Sequence, residues 1–223
     1  MADYNYLLNH IIETAENDGS EFITHIPRMV NLAEERLSKS LDDYGLIVEN
    51  SYPTSVGQAE YQLLSATQVI KNIYTFDSIG TKINLLQRTD EFINDYWPVS
   101  ASTGTPKYYA RTVASNIRLA PTPVSSSIMR VVSQQKPTPL GTTIIPITTT
   151  TNYFSERCYD ALYAACMSEA YAFMKNYTAK QVYEQQYQNA VGLLRNQSRR
   201  TRRDDMQTPA STGGGDNTIE GGL

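Results

Sequence analysis

The chain reads as an α+β protein: an antiparallel helical bundle made of an N-terminal and a C-terminal helix pair, with a small antiparallel β domain inserted between them and a flexible C-terminal tail. Three observations predict this. Apolar residues recur at helical spacing over residues 7–41 and 154–194. They alternate with polar ones from 69 to 86 and in short runs up to 133. The last twenty-odd residues carry too little apolar area to offset the entropy of ordering them.

Leu7, Leu8, Ile11 and Ile12 make the first helical stripe, and Asp18-Gly19-Ser20 breaks it from a longer one through Phe22, Ile23, Ile26, Val30, Leu32, Ala33, Leu37 and Leu41. Ser20 suits the cap of this second helix. Pro27, favoured in a first turn, instead moves the start of regular helix to a cap at His25 or Ile26. Two helices joined by so short a break are expected to pack antiparallel. Val69 to Phe76 and Lys82 to Leu86 then form a hairpin around Asp77-Ser78-Ile79-Gly80. A short helix, Asp90 to Asp95, follows with Thr89 or Asp90 as its cap. Three short strands come next, at Lys107–Ala110, Asn116–Leu119 and Ile128–Ser133. Pro121, Pro123, Pro137, Pro139 and Pro146 bar central-strand pairing where they stand. The uncharged stretch 137–150 reads as a connecting loop. Helix returns with Phe154, Cys158, Ala161, Leu162, Ala165, Met167, Ala170, Tyr171, Phe173 and Met174, capped from Thr149–Asn152. After a turn at Asn176-Tyr177-Thr178, Tyr183, Tyr187, Ala190, Val191 and Leu194 stripe a final helix. The expected divisions are residues 1–66 and 151–198 for the two helical halves, 67–150 for the β insertion and 199–223 for a basic, glycine-rich tail. Tyr44, Tyr52 and Tyr61 fall in an irregular stretch with Gly45, Pro53 and Gly57, and read as interface residues.

Composition narrows the function. At 223 residues and 40% apolar content the chain can bury one good core or two small ones. No run approaches the roughly 20 apolar residues of a spanning helix, so no membrane partner is expected, and the first residues lack the basic-then-apolar order of a signal peptide. The net charge of −4 is uneven: residues 1–60 hold 11 acids and 3 bases, residues 176–203 hold 1 acid and 6 bases. In a protein that stacks on copies of itself or on other rings, ends of opposite sign steer which face meets which partner. Cys158 and Cys166, about 12 Å apart along one helix, are out of reach of an intrahelical disulfide and read as buried small hydrophobes of a reducing compartment.

Catalysis has no candidate residues. His10 and His25 have no companions at ligand spacing, so no metal or cofactor is expected. No nucleophile elbow, phosphate loop or dinucleotide fingerprint occurs. Glu34-Glu35 and Asp42-Asp43 read as solvated faces. Sixteen tyrosines against five phenylalanines point to amphipathic contact, although Tyr159, Tyr163 and Tyr171, at one helical face, read as packing. Arg199, Arg200, Arg202 and Arg203, with Arg195 a turn earlier, form a partner-binding cluster. Docking on an acidic protein surface is favoured over phosphate neutralisation, because no aromatic residue interleaves the cluster and the chain as a whole is acidic.

Three motifs carry more specific information: Asp95-Tyr96-Trp97-Pro98, Gly104-Thr105-Pro106-Lys107-Tyr108-Tyr109 and Ile117-Arg118-Leu119-Ala120-Pro121-Thr122-Pro123. In this order, between helical pairs, they resemble the adaptor, or head-to-tail connector, proteins of tailed bacteriophages over roughly residues 1–198. The 137–150 stretch and the Arg/Gly tail have no counterpart in that pattern. The resemblance implies a structural virion protein, not an enzyme, assembled in the bacterial host and placed in the neck. It would form a ring of twelve copies between portal protein and tail or nozzle proteins and continue the channel for genomic DNA, with the tail after Leu194 reaching into the portal. Another neck or tail-tube component, or a nucleic-acid-binding module using the arginine cluster, are the alternatives.

Overall fold

A computed structural model describes residues 3–203 except 78, 100, 114, 142, 145 and 146. Helix α1 (Tyr4–Ala15) starts where Asp3 accepts the Tyr6 N–H at 2.7 Å and stops at Glu16, whose φ of 48° cannot continue a right-handed helix. Helix α2 (Ser20–Ser40) begins directly after Gly19, so Ser20 lies inside the helix and is not its cap, and Pro27 stands exposed within it. A 3-10 turn (Tyr44–Leu46) leads into strands β1 (Ile47–Thr54), β2 (Glu60–Gln62), β3 (Thr67–Phe76) and β4 (Lys82–Gln87). Helix α3 (Asp90–Tyr96), capped by the Thr89 hydroxyl, is followed by β5 (Thr103–Gly104), β6 (Tyr108–Arg111), β7 (Asn116–Ala120), β8 (Thr122–Pro123) and β9 (Ser127–Gln135). After a short pairing of β10 (Thr143–Ile144) with β11 (Ile147–Thr148) come α4 (Tyr153–Arg157), α5 (Tyr159–Phe173) and α6 (Tyr177–Arg203).

The β region corrects the expected architecture. It is not a small antiparallel insertion on a helical bundle but a seven-stranded mixed sheet, ordered β1-β9-β3-β4-β6-β7-β2. Strands β4 and β6 run parallel, and α3 lies on the crossover that a parallel pair requires. The stretch read as irregular, 47–62, supplies both edges. Pro53 and Gly57 argued for a loop there, yet an edge strand has an unpaired side on which a missing N–H costs nothing, so β1 carries Pro53 opposite Ile128.

The sheet must also curl. Its edge strands β1 and β2 are joined by residues 55–59, which span roughly 20 Å when fully extended. Six gaps of about 4.8 Å would hold the edges of a flat sheet roughly 29 Å apart. Curling encloses a core of Tyr61, Leu63, Ile73, Leu85, Tyr109, Ile117, Leu119, Met129 and Val131.

The helices form a second core around α5, which buries residues on every side: Ala161, Leu162, Ala164, Ala165, Cys166, Met167, Ser168 and Ala170. A helix apolar all round belongs at a centre. Helices α1, α2 and α6 each pack on it, so α5 acts as a hub and the two expected helix pairs do not form a bundle of equals. The tyrosine stripe faces α1, with Tyr163 donating to Thr14 Oγ1 at 2.6 Å and Tyr159 bonded to His10 Nδ1 at 2.9 Å. Cys158 sits at the break between α4 and α5, and both thiols are free and buried. Asn152 caps α4 in a capping box with Ser155. Two further expectations are corrected: 137–150 contains the β10–β11 pairing, and Arg199–Arg203 continue α6 as helix. The remainder of the expected tail, 204–223, lies outside the described residues.

Candidate assembly surfaces

Sheet and helices join at the end of α2. The last turn of a helix leaves carbonyls without partners, and here the carbonyl of the last helical residue and those of the two residues after it are met by side chains from elsewhere. Arg195 Nε of α6 donates to Ser40 O at 2.9 Å, Gln134 Nε2 of β9 to Leu41 O at 2.7 Å, and Ser198 Oγ of α6 to Asp42 O at 2.7 Å. A turn earlier, Gln68 of β3 donates to Ser38 Oγ at 2.6 Å. Arg36 of α2 binds Glu169 of α5 at 3.1 Å and Glu184 of α6 at 2.6 Å, with its guanidinium 4.5 Å over the Tyr187 ring. Burial opposes ionisation of Glu184, but hydrogen bonds from Arg36, Gln188 and Ser168 outweigh it and hold the carboxyl below its usual range.

Glu34 is the opposite case. Only 1% exposed, it accepts from Asn152 Nδ2 at 2.5 Å and from the Leu140 N–H at 3.2 Å. Burial pushes its carboxyl above the usual range and these bonds only partly offset that. It anchors the 138–152 connection against α2 and does not lie on a solvated face as the sequence reading held.

The sequence-selected residues separate in space. Arg195 is exposed but bonded to the protein's own backbone, and Arg199 is exposed a turn further on. Arg200, Arg202 and Arg203 lie on α6, and Tyr44 on the 3-10 turn, with side chains outside what the structure describes. Tyr61 is buried in the sheet core, where its hydroxyl donates to Gln58 O at 2.9 Å and accepts from the Ser55 N–H at 3.1 Å. Half-buried Tyr52 accepts the Leu64 N–H at 3.1 Å. Both hydroxyls therefore tie β1 and the loop behind it to the neighbourhood of β2, closing the curl of the sheet by side chains.

The three sequence motifs come together as one unit. Trp97 donates from Nε1 to Ser102 O at 3.0 Å and its ring lies over Gly104, next to Pro121. A Cβ on Gly104 would approach Pro121 Cβ to 3.0 Å, so a larger residue there would have to push Pro121 away from the parallel pairing of β5 with β8. Beside this unit a cleft of about 480 Å³ is lined by Gln58, Glu60, Ile93, Trp97, Arg118 and Leu119. Arg118 crosses it, binding Glu60 at 2.8 Å, Asp90 at 3.0 Å and Asn94 at 2.9 Å. Its charge is thus met internally, and the cleft joins β2, β7 and α3.

Sequence reasoning passed over α3's exposed side, where Phe92 and Tyr96 stack one turn apart, and Leu193 on α6, 72% exposed. The visible signal was aromatic and apolar residues placed off the core stripe. Among the described residues no group of three or more His, Cys, Asp or Glu could hold a metal ion, and no helix is long and apolar enough to cross a membrane. Burial pushes the Cys158 thiol up to about 12 and Cys166 higher still, so both remain protonated and poorly nucleophilic at neutral pH.

The geometry offers polar networks that lock elements together, with exposed aromatic and basic side chains at the surface. The chain matches the SU10 adaptor protein family over residues 3–213 and belongs to it. Membership makes it a phage adaptor, a structural virion protein whose contacts are with other virion proteins. A comparison with curated proteins gives no match.

Proposed function

We propose that the protein forms a ring, of twelve copies, between the portal of the capsid and the tail or nozzle, and that the ring continues the DNA channel. The observation that carries this reading is the match to the adaptor family across almost the whole chain. The charge distribution supports it: α6 ends in four arginines, and Ser198 is the last of its residues buried among those described. A basic end beyond the anchored part of the helix suits docking on an acidic protein surface, and repetition around a ring multiplies weak contacts into stable attachment. The residues after Arg199 serve as the portal-binding segment, and DNA passes without base-specific contact.

The test is the mass of the protein, alone and mixed with portal rings, by native mass spectrometry. A portal-bound ring is expected, and deletion of 200–223, which removes three of the four arginines, should abolish attachment while leaving the melting temperature unchanged. The cut is placed after Arg199 because Ser198 is bonded to the body. A protein indifferent to portal but shifted by duplex DNA, with binding that falls steeply with salt, would overturn the adaptor reading in favour of nucleic-acid binding.

A further inference from the structure

Helix α3 buries Ile93 and turns most of its other side chains outward. Phe92 and Tyr96, 38% and 42% exposed, stack with centroids 5.7 Å apart and planes 8° from parallel, and Tyr108 meets both edge-on. On the same helix Glu91 and Asp95 are exposed and form no ion pair among the described residues. Paired, preorganised aromatic rings at a surface are the composition of interface hot spots.

The outward side of α6 is the reverse in charge. From 185 to 194 it has no charged residue, although the solvent side of a surface helix ordinarily carries them. Leu193 is 72% exposed. A Cβ at the adjacent Gly192 would meet nothing within 4 Å, so the fold of one chain has room for alanine, and glycine weakens a helix interior relative to alanine. Glycine there leaves the helix surface beside Leu193 open to close approach. Arg199, about 9 Å along the axis from Leu193 and about 120° around it, reaches the same neighbour only by its long side chain; it is exposed and has no ion-pair partner among the described residues.

We propose that these two surfaces meet between copies of this chain, with Leu193 of one copy seated on the Phe92–Tyr96 ring pair of the next and Arg199 paired with Glu91 and Asp95. A second copy is the occupant because the chain itself carries both complements: on α3 an aromatic pair flanked by Glu91 and Asp95, with the Arg88 guanidinium 5.6 Å from the Phe92 ring, and on α6 an exposed leucine in an uncharged, amide-rich side that ends in Arg199. The two helices pack on different elements, α3 on β6 and α6 on α5, so the contact joins unlike surfaces. Repeated unlike contacts run around into a ring when the rotation closes. This inference rests on the ring reading above and names its subunit contact, leaving residues beyond Arg199 for the portal.

Self-association is measured by native mass spectrometry on the full chain, alone and on portal rings, with melting temperature as the control for folding. Phe92→Ala and Leu193→Asp should each weaken the contact by about tenfold or more at unchanged melting temperature. The double variant Glu91→Lys/Asp95→Lys and the single variant Arg199→Glu should each disperse the ring, and combining all three in one chain should recover most of it, since every contact is then reversed in sign. Rings that survive the reversals overturn the inference and leave the adaptor reading standing. Dispersal without recovery in the triple variant overturns the pairing of α3 with α6. Loss of portal binding by Phe92→Ala with the ring intact assigns the α3 face to another virion protein and likewise overturns it. A wild-type chain that stays monomeric alone and against portal overturns both readings.

Discussion

The helical core and the curled sheet are held together by different physics. Around α5, alanines and a buried cysteine let α1, α2 and α6 approach closely, and Phe154, Leu162 and Leu37 fill the remaining volume at 0% exposure. The sheet instead completes its curl with side-chain hydroxyls, Tyr52 to the Leu64 backbone and Tyr61 to Ser55 and Gln58. Dense packing makes the first region intolerant of changes in volume, whereas the seam that closes the second depends on a few hydrogen bonds, each worth about 1 kcal/mol.

The contrast is broken most strongly from the helical side. Phe154→Ala should cost about 3–5 kcal/mol by denaturant unfolding, because a fully buried ring leaves a cavity its neighbours cannot fill. A loss under 1 kcal/mol would mean that the helical core is loosely packed. At the junction, a Cβ on Gly45 would fall 1.9 Å from Tyr153 Cε2, displacing a ring whose hydroxyl donates to Asp43 at 2.6 Å. Gly45→Ala is therefore expected to cost about 1–3 kcal/mol. Tyr52→Phe should cost only about 1 kcal/mol, with faster exchange of the Leu64 amide as its specific sign. Unchanged Leu64 protection would show that the seam is held elsewhere.

The smallest effect is a slope with pH. Because burial raises the Glu34 carboxyl in the folded state, the protein binds an extra proton relative to the unfolded chain in that window. The associated stability is present below the ordinary glutamate range and is lost as pH rises through the raised value. Glu34→Gln should remove this loss, so the variant gains on the wild type as pH increases. A stability difference that is flat with pH would contradict a raised Glu34. Glu184 runs the other way: its carboxyl is held low, so its contribution is lost as pH falls.

The sequence by itself determined the helices, their order and much of their capping. Periodicity and caps are local, and the α5 run of small apolar residues and the Thr89 and Asn152 caps act within a turn or two. It also carried the three motifs that Trp97, Gly104 and Pro121 bring together. The tertiary structure alone decided the size of the sheet. Strands at 47–62 gain their stability from partners at 116–118 and 127–134, and no local signal encodes pairing over such distances. It likewise moved Tyr61 into the core, bound Arg195 to the end of α2, carried helix through Arg199–Arg203 and left Phe92, Tyr96 and Leu193 at the surface. Whether a ring is packing or an exposed contact depends on what lies across from it, and that is fixed only when the chain has folded.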